Sequence, residues 1–189
     1  MLRTQLHLLL SVGMAKLRPT NDLLACSTCH FLVKPWDLDL NFHLNNVRGS
    51  EYLARALSWH FVRTRYIGML YFAGYRTFIA TTHLSYIQPL AALQRFSIET
   101  QLTGCDAKYT YFEQTISSGT RPAVISVQRM SIVDRDRRPA SPEAVLRELT
   151  ARAPLPPAPP YASALRDFTR AHRAPRATAP NQDLPPGHP

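Results

Sequence analysis

The sequence predicts an α+β domain, an antiparallel sheet laid against one long amphipathic helix. Three observations carry this expectation. A helical apolar stripe runs from Ser50 to about Arg65. From Tyr75 onward the apolar period changes from helical to two. The segments that follow are separated by short turns, and short turns make neighbouring strands antiparallel. One helix covering one face of such a sheet is an α+β arrangement.

Taken in order, residues 2–17 read as a short helix, because Leu2, Leu6, Leu9 or Leu10, Gly13 and Leu17 recur near helical spacing. Pro19 breaks that pattern. The segment falls well short of the roughly 20 apolar residues that span a bilayer, so no transmembrane segment is expected. Contact with a membrane would be peripheral, and packing on the domain or on a partner is the competing use. Thr28–Lys34 reads as a first strand that stops at Pro35. A polar turn follows. Ser50 is the expected N-cap of the long helix, with Leu53, Leu57 and Phe61 at four-residue spacing and Ala56 beside them. A further helical turn is expected at Met69–Ala73.

The strands then succeed one another. Phe78, Ala80, Thr82, Leu84 and Tyr86 alternate with Ile79, Thr81, His83 and Ser85 until Pro89. Phe96, Ile98, Thr100 and Leu102 alternate with polar residues up to a turn at Gly104-Cys105-Asp106. Tyr109–Gln114 alternates again, Ser118-Gly119 turns the chain, and Val124–Val133 is the last long strand. Ser141-Pro142-Glu143 combines an N-cap, a proline at the first helical position and a first-turn acid, so a final helix is expected to about Ala151.

After Arg152 the composition shifts. Ten of the 16 prolines lie in residues 154–189, and Leu155–Pro160 is polyproline-like. This stretch lacks the apolar surface that offsets chain ordering and reads as disordered, with at most a transient helix at Tyr161–Arg173. The expected organisation is an N-terminal helical segment (1–20), a domain (21–152) and a Pro-rich tail (153–189).

The chain carries 45% hydrophobic residues and a net charge of +9. Residues 1–152 hold 18 Lys/Arg against 11 Asp/Glu, so most of the basic excess sits in the domain. Anionic partners follow from that sign: phosphate-bearing cofactors, an acidic carrier protein, a membrane surface or nucleic acid. No Lys/Arg block is dense enough to point to nucleic acid. Arg135, Arg137 and Arg138 alternate with Asp134 and Asp136, as a solvated hairpin end would. Cys26, Cys29 and Cys105 make no disulfide framework. Cys26-Ser27-Thr28-Cys29-His30 has the C-x-x-C-H spacing of c-type haem attachment, which keeps a haem protein as a remote alternative. Attachment requires export, however, and Leu6–Ala15 is a short, interrupted export signal. No second C-x-x-C supports zinc. The expectation is three reduced thiols in a cytoplasmic protein, with no cofactor and no metal.

The chemistry concentrates in Asp37-Leu38-Asp39-Leu40-Asn41-Phe42-His43-Leu44-Asn45-Asn46. A carboxylate, an imidazole and amides at a strand-to-helix turn lie close to helix N–H donors, where negative charge can develop. Asp, Asn and His also serve as plain turn and cap residues. There is no G-x-S-x-G elbow and no G-x-x-x-x-G-K-[ST] loop, which argues against serine-hydrolase and nucleotide-hydrolase readings. His60 in the helix, and His83, Glu99 and Glu113 on strands, have structural uses.

This stretch resembles the D-x-D-x-N-x-H-x-N-N signature of hotdog-fold thioesterases, of the 4-hydroxybenzoyl-CoA thioesterase type and the plant acyl-carrier-protein type. It looks most like the subgroup called thioesterase superfamily member six. The likeness covers roughly Leu17 to Arg138. It implies a hotdog fold, a curved antiparallel sheet around a central helix, and hydrolysis of an acyl-CoA or acyl-carrier thioester. It also implies a homodimer or larger assembly. Carried over by position, Asp39 is base or nucleophile. Asn41 and His43 orient it, position water or donate to the substrate. Asn45 and Asn46 shape the turn beside the substrate. Asp37 is the competing carboxylate, favoured as a cap or structural acid. The chain departs from its relatives in two places. Gly49-Ser50 stand where Tyr-Leu is common, with Tyr52-Leu53 three residues later. No additional acid lies near Tyr86-Ile87-Gln88-Pro89. A hotdog protein that binds acyl groups or partners without turnover is the alternative.

Overall fold

A computed structural model describes residue 20 and residues 22–150 and 155–173. The helix expected over 2–17 lies outside the described residues. The elements are β1 (Ser27–Leu32), a 3-10 turn (Pro35–Asp37), α1 (Asn46–Arg63), α2 (Tyr66–Phe72), β2 (Arg76–Tyr86), β3 (Arg95–Cys105), β4 (Thr110–Ser118), β5 (Arg121–Val133), β6 (Pro139–Ala140), α3 (Pro142–Thr150) and α4 (Ala162–Arg173). The chain forms two units, residues 1–158 and 159–189. α4 belongs to the second. All that follows concerns the first.

Short connections deliver the antiparallel sheet they predict. Its order is β1-β3-β4-β5-β2, and β6 pairs with β5 at Ile132 and Val133, just past the residues that β4 covers. α1 packs on β1, β3 and β4. A curved sheet around a central helix is the hotdog fold. Period-two alternation sets which face each strand buries. In β3, Phe96, Ile98, Thr100 and Leu102 are buried and Arg95, Glu99 and Gln101 are exposed. α1 buries the matching helical stripe of Tyr52, Leu53, Ala56, Leu57, His60 and Phe61. Each large apolar side chain removed from water stabilises by about 1.5–3 kcal/mol.

Two boundaries differ from expectation for identifiable reasons. The long helix starts at Asn46 rather than after Ser50. Asn45 is its N-cap and accepts from Val47 N–H at 2.8 Å, while Ser50 Oγ donates back to Asn46 O inside the helix. β3 runs on to Cys105, because the turn is made by Asp106, whose Oδ1 accepts from the N–H groups of Lys108 and Tyr109. Gly104 sits in the strand because chain passes beside it. Cys105 N–H donates to Pro156 O at 3.0 Å, and a Cβ on Gly104 would collide with the Pro157 carbonyl. Leu155 packs on the core next to that crossing.

The apolar core comes in two clusters. One gathers Tyr52, Leu53, Ala56, Phe96, Ile98, Ile116 and Val124 under the first half of α1. The other gathers Leu57, Phe61, Tyr66, Leu102, Phe112, Met130 and Leu146 under its second half. Buried polar residues lie between them.

Candidate active site

The motif folds into a small hairpin. Leu38 bridges Leu44, Asp39 N–H donates to His43 O at 2.8 Å, and Phe42 N–H donates to Asp39 O at 3.1 Å. Phe42 closes the tip with φ at 59° while its ring is 77% exposed, an unfavourable conformation that the surrounding bonds hold. The hairpin leans on the β2–β3 connection: His43 bridges Ala91, and Leu44 N–H donates to Leu90 O at 2.8 Å.

The two carboxylates meet different surroundings. Asp37 is 4% exposed. One oxygen accepts from Tyr52 OH at 2.6 Å, and the other lies 3.3 Å from Arg48 Nε. Its carbonyl accepts from Asn45 N–H, which ties the helix start to the 3-10 turn. Burial, together with this bond to Asp37, pushes the Tyr52 hydroxyl up to about 12, so it is a permanent donor at neutral pH. Asp37 is thus spent on structure. Asp39 is half-buried. Its Oδ1 accepts from Asn41 N–H at 2.8 Å and from His43 N–H at 3.2 Å. Those amides aim the carboxylate, and Oδ2 has no hydrogen-bond partner among the described residues.

Asp39, His43, Asn45 and Asn46 come together on the wall of one cleft of about 250 Å³. Asn41 is exposed and does not line it; its contribution is the backbone N–H that holds Asp39. The Asn45 side chain is committed to the cap. The other amides of the first helical turn have no intrahelical acceptor, so they form a partial positive charge beside the cleft. The rest of the lining is mostly apolar, built by Tyr86, Ile87, Pro89, Leu90 and Val124, with Gln88 among them, whose Nε2 donates to Pro122 O. Sequence reading singled out Tyr86-Ile87-Gln88-Pro89 for the acid it lacks and missed that this stretch lines the cleft. It is brought in by long-range pairing, and the local signal was the proline at 89 that follows β2.

A carboxylate with a free oxygen, an imidazole, helix-start donors and an apolar wall can together accept a proton, stabilise an oxyanion and seat an acyl group. The C-x-x-C-H stretch has no such setting. β1 pairs with β3 along its whole length, and Cys29 packs against the apolar cluster while His30 faces the other way. All three cysteines are free thiols. Among the described residues, no three His, Cys, Asp or Glu side chains converge as a metal site requires, and no helix is long and apolar enough to cross a membrane.

Solved structures share this architecture. A probable thioesterase from Escherichia coli is 19% identical with a TM-score of 0.57, over 65% of this chain and 94% of that one. An acyl-ACP thioesterase from Bacteroides thetaiotaomicron is 15% identical with a TM-score of 0.59, over 71% of this chain and 57% of its own. A hypothetical protein from Staphylococcus aureus, solved in complex with CoA, is 15% identical with a TM-score of 0.54, over 69% and 84%. At these identities the likeness shows the fold. The family follows from the sequence, since the model of the thioesterase-like superfamily matches residues 33–163, and the chain belongs to that superfamily.

Proposed function

We propose that this protein hydrolyses an acyl thioester of coenzyme A or of an acyl-carrier protein, with Asp39 as general base or nucleophile. The observation that carries the reading is the Asp39 carboxylate, held through one oxygen by two backbone amides and open through the other, at the mouth of a cleft beside a helix start. In the base route Oδ2 takes a proton from water attacking the carbonyl carbon; in the covalent route it attacks directly. The helix-start amides, with the Asn46 side chain, stabilise the oxyanion, and His43 positions water or protonates the departing thiolate. The CoA complex and the acyl-ACP enzyme among the similar structures support this substrate class. Release of free thiol from acyl-CoA, lost in Asp39→Asn, is the deciding measurement.

One observation favours a second reading. Asp39 Oδ1 is fully engaged by its own loop, as in a carboxylate that only shapes a turn. In that case the protein binds acyl thioesters without turning them over, and folded wild-type protein binds acyl-CoA and releases no thiol.

The functional unit in this reading is a homodimer or larger. β2 ends the sheet, so among the described residues one side of its 11 residues has no strand beside it, and Phe78 and Ile79 within it are 54% and 53% exposed. Long exposed apolar edges invite pairing with another strand. Tyr86 at the end of the same strand lines the cleft, so a second copy on this edge would help to enclose the site.

A further inference from the structure

One residue of the cleft wall has no side chain, and the fold does not ask for that. Gly49 lies in the first turns of α1, where its N–H donates to Asn45 O at 2.8 Å. Glycine is among the least favourable residues inside a helix, because it loses the most backbone freedom there. Two circumstances normally justify it, and each occurs elsewhere in this chain. Gly74 and Gly119 have positive φ. Gly104 is approached so closely by the Pro157 carbonyl that a Cβ would collide. Gly49 has neither reason. Its backbone is helical, and outside its own helix the nearest atom to a Cβ built on it would be Leu44 Cδ2 at 3.8 Å, an ordinary van der Waals contact.

Gly49 is nonetheless buried, so the room beside it is not open solvent. It is the cleft, which Gly49 lines together with Asp39, His43, Leu44 and Asn46. Asn46 and Gly49 stand three residues apart on α1, neighbours on one helix face at about 5–6 Å. In the proposed chemistry the carbonyl of the thioester sits against Asn46 and the helix-start amides. A substituent on the acyl α carbon stands two bonds from that carbonyl carbon. It can therefore come within roughly 3.5–4 Å of residue 49, which is contact distance. A methyl group there would take about the room of a water molecule, about 30 Å³. The whole cleft is about 250 Å³.

We infer that Gly49 is a specificity-determining residue: its missing side chain leaves a notch beside the carbonyl end of the cleft, which takes the branch of acyl thioesters substituted at the α carbon. This inference rests on the acyl-thioester reading above.

The test compares n-butyryl-CoA with isobutyryl-CoA, isomers that differ only in where the branch lies. Thiol release gives kcat/KM and calorimetry gives Kd, for wild type, Gly49→Ala and Gly68→Ala. Gly68 is the control: it is also a helical glycine with open room for a Cβ, and it does not line the cleft. Both substitutions are expected to raise the melting temperature, by about 2–4 °C each, because alanine is the better helix former. Wild type is expected to take isobutyryl-CoA at least as well as n-butyryl-CoA. Gly49→Ala is expected to lower the isobutyryl to n-butyryl ratio by about tenfold, the discrimination that one methyl group in an apolar pocket supplies. Gly68→Ala should leave that ratio where it is. A wild type that disfavours isobutyryl-CoA tenfold overturns the inference, as does a Gly49→Ala that changes both isomers by the same factor or lowers the melting temperature. In each of those cases hydrolysis itself stands. If neither isomer is cleaved but both bind, hydrolysis falls, and the ratio of Kd values decides the notch in the same way. If neither binds, both readings fall.

Discussion

At the scale of single residues, the surroundings of Asp37 and Asp39 separate their roles. Asp39→Asn keeps size and the bonds from Asn41 and His43 but removes the base, so a loss of about 10²–10⁴-fold in kcat is expected in a variant whose circular dichroism is unchanged. Asp37→Asn unbalances Arg48 and Tyr52 instead, and should show as a stability loss of about 1–3 kcal/mol with a much smaller effect on rate. Chemical denaturation beside a kinetic assay separates the two; a dead Asp37→Asn with an active Asp39→Asn would reverse the assignment. His60 gives a pH signature. Burial, with a further contribution from Arg63, lowers its pKa from 6.5 to about 4, and Nδ1 lies 3.0 Å from Ser27 Oγ. The unfolded chain binds the extra proton first. The stability tied to neutral His60 is therefore complete above about 6.5 and is lost as pH falls toward 4, on the order of 3 kcal/mol in all. Melting curves between pH 7.5 and about 4.5 should flatten in His60→Gln. The motif residues were legible because they are contiguous. The Tyr52–Asp37–Arg48 clamp was not, since nothing local tells which of two nearby acids a tyrosine in the helix will meet.

At the scale of elements, alternation made the strands and their faces readable, down to the polar Thr100 in phase with Phe96, Ile98 and Leu102. The start of α1 was less readable. Ser50 is as good a cap by composition as Asn45, and a glycine just before it suggests a boundary. The contact that settles the choice, Leu44 N–H to Leu90 O, comes from the β2–β3 connection and leaves no local trace. Asn45→Ala should destabilise by about 1 kcal/mol, read from urea midpoints, and Ser50→Ala by clearly less. The Leu155–Ala158 stretch was equally hidden, because proline-rich composition says nothing about a strand end waiting for a carbonyl. Gly104→Ala should lower stability by about 1–3 kcal/mol, since the Cβ and the Pro157 carbonyl cannot both stay. Truncation after Ala158 is expected to leave melting temperature and hydrolysis nearly unchanged, whereas truncation after Ala153 removes Leu155 and the acceptor for Cys105 and should lower it. Equal melting temperatures for the two truncations would show that the crossing contributes nothing.

For the whole molecule, the exposed edge of β2 leads to an expected homodimer or larger assembly, which sedimentation across micromolar concentrations of fully active protein checks. A purely monomeric mass would count against it, and Phe78→Lys should dissociate the assembly while leaving the monomer folded. The buried polar residues between the two apolar clusters have a consequence at this scale too, because Ser27, Thr100, Gln114 and Ser126 stand directly opposite one another across β1, β3, β4 and β5. Alternation tells a strand which side faces inward, and a slip of one residue is rejected because it turns every side chain over. A slip of two residues keeps all the inward faces inward and is invisible to that rule. It would set Phe112 or Ile116 opposite Thr100 and strand the Gln114 amide away from Leu53 O, its acceptor. Ser27, Thr100, Gln114 and Ser126 therefore work as an alignment mark drawn across four strands, which lets the sheet recognise its one correct pairing among others of nearly equal oiliness.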